Sequence, residues 1–166
     1  NDIFFNGNFY STNTDFDQYL KRFSYTFKNG TNELGGYAIL KNKKIILAMD
    51  IGSSPSKRFS LDYQYGALSF EIFSNQKKLI TNAGYFPNKN NQLNKLSKST
   101  ALHSTLTIED FSSCSSEKTK NNILVGKGLK VSKKNIVYEK NYWKISASHD
   151  GYLQKFGTIH EREIEF

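Results

Sequence analysis

Three histidines carry most of the chemistry this sequence could perform, and each sits in a polar cluster. His103 opens the run HSTLT; His149, Asp150 and Tyr152 stand in SHDGY; His160 and Arg162 stand in HER. Imidazole titrates near neutrality, so such residues can move protons, ligate metals or hydrogen-bond a polar ligand. Residues two apart on a strand share a face, so His160 and Arg162 point the same way. Together they could meet an anion, or form a cross-strand ion pair. For SHDGY the plainer reading is turn chemistry, with Asp150 for the turn and Tyr152 for packing. A zinc centre needs three or four converging ligands, and the spacing of these histidines shows no convergence. GKGLK lacks phosphate-loop spacing, and GxSxG, HExxH and CxxC do not occur. Cys114 is the only cysteine, so no internal disulfide forms. Asn29-Gly30-Thr31 reads as an Asn-Gly turn rather than a glycosylation site.

The elements that must position these clusters are strands. GYAILKNKKIILAMDIG reads as two strands turning at Lys41–Lys43. In GALSFEIFS, Leu68, Phe70 and Ile72 alternate with Ser69, Glu71 and Phe73. QKKLITNAG follows a short turn at Asn75–Gln76, so 66–82 is expected to be a hairpin. Residues 86–98 are polar and rich in turn formers, which predicts an exposed loop. HSTLTIED alternates, sending Leu106 and Ile108 to the core and His103 to the polar face. NILVGKGLKVSKKNIVYEK supplies two further strands. Asp150-Gly151 predicts a type I′ hairpin turn, and TIHEREIEF a last strand with Glu161, Glu163 and Glu165 opposite His160 and Arg162. TDFDQYLKRF has a helix-start pattern at Thr14 and Asp17 with Phe16, Leu20 and Phe23 at helical spacing. The expected fold class is all-β: an antiparallel β-sandwich with at most one short helix, near the N-terminus.

The chain has 166 residues, 13 Phe, 10 Tyr and a net charge of +8. That length suits one domain, 1–166, and aromatic wealth suits half-buried sheets. No apolar stretch is long enough to span a membrane, so no membrane partner is expected. The positive charge is either a lysine-rich surface or a footprint for a polyanion. Arginine occurs only at Arg22, Arg58 and Arg162, which argues against dedicated phosphate reading. No nucleic-acid signature appears, so that partner is disfavoured. The only methionine is Met49, and the last run stops inside its alternation. The chain is therefore read as excised from a longer protein.

STALHSTLTIEDFSSC and SHDGYLQKFGTIHERE together resemble the C-terminal β-domain of heparinase II/III-like proteins. GYAILKNKKIILAMDIG and YGALSFEIFSNQKKLITNAG fit the same domain in the same order, over about residues 35–166. The resemblance implies a polysaccharide lyase that cleaves uronic-acid-containing glycans by β-elimination. It implies an N-terminal α/α toroid absent from this chain, an acidic polysaccharide as partner, and a cell-envelope or periplasmic setting. It places His103 where the family carries a zinc-ligating histidine. The companion positions, histidine before ALSFE and an acidic residue in the next strand, are here Gln64 and Asn82. Neutral amides are weak zinc ligands, so no cofactor is expected; zinc at His103, with Gln64 and Asn82 as degenerate ligands, is the metal alternative. Substrate contacts are assigned to His103, Gln64, His149, Tyr152, His160 and Arg162, and the fragment alone is expected to be inactive. The competing reading is a non-catalytic carbohydrate-binding or scaffold sandwich, with Tyr65, Tyr85 or Trp143 stacking on sugars.

Overall fold

The computed structural model describes residues 18, 21–24, 32–75, 77–88, 92–120 and 122–166. Strands β1 (Glu33–Leu34), β2 (Tyr37–Lys41), β3 (Ile45–Asp50), β4 (Phe70–Ser74) and β5 (Lys77–Ile80) form a five-stranded antiparallel sheet in chain order. Strands β6 (Ser116–Lys118) and β7 (Ile123–Val125) make a small hairpin. Strands β8 (Val131–Tyr138), β9 (Trp143–His149) and β10 (His160–Glu165) make a second sheet with β9 in the middle. The fold is the expected all-β antiparallel sandwich.

One apolar core joins the two larger sheets. Leu40, Leu47 and Met49 from β2 and β3 share it with Trp143, Ile145 and Ala147 from β9. Each strand sends alternate residues inward, as a period of two requires. Phe70 and Ile72 pack on this core from β4, whereas Glu71 lies on the opposite, outer face. In β10 His160, Arg162 and Ile164 are the less exposed set and the three glutamates are exposed. Cys114 is in the core, and burial pushes its thiol up to about 12.

Three expectations are corrected. Residues 86–98 are not simply an exposed loop: Gln92–Lys98 is an α-helix with Asn94, Ser97 and Lys98 buried. Its leucines, Leu93 and Leu96, face out, so the hydrophobic pattern signals nothing. The polar inner face is satisfied instead by hydrogen bonds. Asn94 Nδ2 donates to the Phe86 carbonyl, and the Lys98 ammonium donates to the Leu61 and Ile123 carbonyls. HSTLTIED is not a strand. A 3₁₀ turn spans Thr100–Leu102, the chain then bends, and Leu106 is exposed. Asp150-Gly151 is not a type I′ turn, for Gly151 lacks positive φ. β9 and β10 do pair as a hairpin, but residues 150–159 connect them through a one-turn helix, Leu153–Phe156, which ends on left-handed Gly157. The helix expected in TDFDQYLKRF lies largely outside the described residues; of those it shares with them, Gln18, Lys21 and Arg22 are helical. The Asn29-Gly30-Thr31 turn also lies outside them.

Candidate functional site

A cleft of about 590 Å³ lies over the outer face of the five-stranded sheet. The alternation that sends Met49 and Phe70 into the core turns Tyr37, Asp50 and Glu71 toward this cleft. The opposite wall comes from residues 62–66 and 82–85 and from His103. Hydroxyl side chains lock the segment carrying His103 to the loop before β4. Thr100 Oγ1 donates to the Tyr65 carbonyl (2.7 Å) and Thr105 Oγ1 to the Ala67 carbonyl (2.8 Å). Ser104 Oγ accepts from the Phe70 N–H (2.9 Å) and donates to the Phe70 carbonyl. Short hydroxyl side chains thus substitute for a backbone ladder.

His103 is fixed at both ring nitrogens. Nδ1 lies 2.8 Å from the Ser99 carbonyl, which can only accept, so Nδ1 carries a proton. Burial lowers the ring's pKa and keeps it neutral, against the Ser99 carbonyl and the charge of Glu71. Nε2 is then a lone pair, 3.1 Å from the Gln64 side-chain amide, whose NH₂ is the complementary group. The ring also rests on Gly66, where an added Cβ would stand 2.7 Å from His103 Cδ2. Asn82 binds the same segments: its Oδ1 accepts the Ser104 N–H (2.7 Å), its Nδ2 donates to Ser69 Oγ (3.3 Å), and its own N–H donates to Glu71 (3.0 Å). His103, Gln64 and Asn82, separated in sequence, therefore meet at one place.

The fit to zinc is poor. The donor set is one imidazole and two neutral amides, with the His103 lone pair facing Gln64 and the Asn82 oxygen facing a backbone N–H. Among the described residues no group of three His, Cys, Asp or Glu is arranged to hold a metal ion.

Asp50 closes β3 beneath the cleft. Burial raises its carboxyl to about 7, outweighing the opposing pull of the Gly52 N–H at 2.9 Å and of Lys134. Tyr37 is raised to about 12 by burial, then by Asp50 and Glu71. The Tyr63 hydroxyl is buried with no hydrogen-bond partner among the described residues, and burial raises it strongly. At the rim, Tyr85 donates to Asp62 (2.8 Å). The cleft thus brings together a neutral imidazole, amides, hydroxyls and a carboxyl whose pKa burial lifts to about 7. Nothing in the spacing of the sequence marks Tyr37, Tyr63 or Glu71 as site residues. For Asp50 the sequence holds one signal, a carboxylate ending the apolar run IILAM before Ile-Gly.

The other sequence candidates lie elsewhere. His149 and Tyr152 are 1% exposed and His160 8%. The Gly151 N–H donates to His149 Nδ1 (3.1 Å), which puts the neutral ring's proton on Nε2, aimed at His160 Nδ1 3.0 Å away. The Tyr152 hydroxyl donates to the Leu106 carbonyl (2.7 Å). These three side chains form a cluster inside the fold, apart from the cleft lining. Arg162 is half-buried on Phe70, and its Nη1 donates to the Leu68 (2.9 Å) and Ser104 carbonyls. It supports the cleft from behind.

A family model described as "Heparinase II/III-like, C-terminal" matches residues 32–166. No curated protein and no solved structure matches the chain.

Proposed function

The chain belongs to the heparinase II/III-like family through its C-terminal domain, and from that premise we propose that this sandwich frames an acidic glycan for a polysaccharide lyase. The observation that carries the reading is the meeting of His103, Gln64 and Asn82 at a polar cleft within the matched region. β-Elimination on a uronate requires a base for the proton α to the carboxylate, neutralisation of that carboxylate, and an acid for the leaving oxygen. The group here that suits the second task is Lys78, the cation in a lining that also holds Asp50, Asp62 and Glu71. His103 orients the opposite wall, and the base and acid are assigned to an N-terminal toroid domain outside this chain. In this reading the His103 site works without zinc, and the full protein acts in the cell envelope.

The test is to titrate the 166-residue chain with uronate polymers, following heat of binding and the ultraviolet absorbance of unsaturated uronate. Binding without absorbance is expected; growth of that absorbance would show a complete active site within this chain. His103→Ala should lower Tm more than affinity, since the ring holds Ser99 and Gln64 together. Loss of affinity at unchanged Tm would make His103 a direct ligand of the glycan. Zinc titration should give no tight stoichiometric uptake, and such uptake would overturn the metal-free reading.

A further inference from the structure

At the end of the sandwich where β2 turns into β3, β4 into β5 and β8 into β9, the two sheets part around an apolar cavity of about 220 Å³. Leu40, Leu47, Ile72, Trp143, Ile164 and Phe166 line it. Leu79 and Phe166 at its mouth are 64% and 63% exposed. The three turns are tied together. Asn42 Oδ1 accepts the Lys44 and Ile45 N–H groups, the Asn75 N–H donates to the Lys44 carbonyl, and the Tyr138 hydroxyl donates to the Lys41 carbonyl.

Exposed lysines stand on the same turns. Lys57, Lys133, Lys134 and Lys144 each meet a glutamate. Lys43, Lys44, Lys77 and Lys140 are exposed and have no ion pair among the described residues. Lys77 pairs with Ser74 and lies two residues before Leu79, so it shares the cavity side of β5. Glu165, which also lines the cavity, is held by Tyr142 (2.9 Å) and Lys144 (3.3 Å).

We propose that this open end binds a medium-chain carboxylate, with its alkyl tail between the sheets and its head group on the Lys43, Lys44 and Lys77 rim. An apolar cavity of about 150 Å³ stays dry and admits benzene, so this one suits a short alkyl chain. A neutral hydrocarbon would leave the lysines unused, and an acidic polymer would leave the cavity unused. An anionic amphiphile uses both.

Trp143 lines the cavity and is the only tryptophan, so its fluorescence reports on occupancy. The experiment titrates the 166-residue chain with octanoate and, separately, with octanol, both below aggregation. A saturable change in Trp143 emission with octanoate is expected, with octanol about fivefold weaker. The double variant Lys44→Glu/Lys77→Glu should weaken octanoate by a similar factor and leave octanol unchanged, at wild-type Tm. Ser74→Phe, which narrows the cavity, should weaken both. Equal response to octanoate and octanol would overturn the lysine rim as head-group site. No saturable response, or one only to anionic phospholipid vesicles or polyuronate, would overturn the proposal.

Discussion

Asp50 and the histidine pair are all buried titratable groups, but they bend the stability curve in opposite directions. Asp50 rises from 3.8 to about 7 on folding, because burial penalises its charge. Its contribution is complete below its unfolded pKa and is lost as pH rises through about 7. Asp50→Asn keeps an oxygen for the Gly52 N–H and removes the buried charge. It should melt above wild type at pH 8 and lose that advantage by pH 4, measured by thermal denaturation; an advantage that grew toward acid would refute the assignment. His149 and His160 fall to about 4, mainly through burial, with His160 and then Arg162 opposing charge on His149 and Arg162 opposing it on His160. Between about 6.5 and 4 the unfolded chain takes up protons that the folded chain refuses, so stability drops as pH falls through that window. His160→Gln should therefore shrink the loss of Tm between about pH 6.5 and pH 4, and an unchanged acid limb would refute this assignment.

At the scale of elements, strands with regular alternation were legible in the sequence, and segments held by side-chain hydrogen bonds were not. β2, β3, β4, β5, β8, β9 and β10 all fall in runs expected to be strands, whether alternating as in FEIFS or continuously apolar as in IILAM. HSTLTIED also alternates, but the hydroxyls of Thr100, Ser104 and Thr105 bond the backbone of residues 65–70 rather than joining a ladder. Gln92–Lys98 buries its polar side, so periodic hydrophobicity could not reveal it. Of the cleft, the family resemblance drew attention to His103, Gln64 and Asn82; Asp50 and Tyr63 stayed hidden because their chemistry comes from burial. Arg162 shows how one side chain joins several elements. It anchors β10 to the carbonyl of Leu68, whose φ of 59° is unusual for leucine, and to that of Ser104. Arg162→Ala should cost about 2–3 kcal/mol by leaving these carbonyls unpaired. Arg162→Lys should recover only part, lacking the planar fork and the stack on Phe70. Chemical denaturation measures both, and a neutral Arg162→Ala would show that the loops hold themselves.

Across the whole molecule, the positive charge lies mostly away from the cleft. The cleft contains Asp50, Asp62 and Glu71 against Lys78, and no other lysine lines it. The net charge of +8 therefore says little about the cleft itself, and that is why composition alone could not locate a site. The sandwich also carries its own clock. Cys114 is 4% exposed and burial pushes its thiol up to about 12, so an alkylating reagent must wait for the fold to open around it. Labelling of Cys114 should be slow in the native protein and faster in Arg162→Ala by the factor that the lost stability dictates when opening is global. Equal labelling in both proteins would mean that the Cys114 neighbourhood breathes independently of β10. A single sulfur thus turns the cooperativity of this fold into a rate that can be read without unfolding the sample.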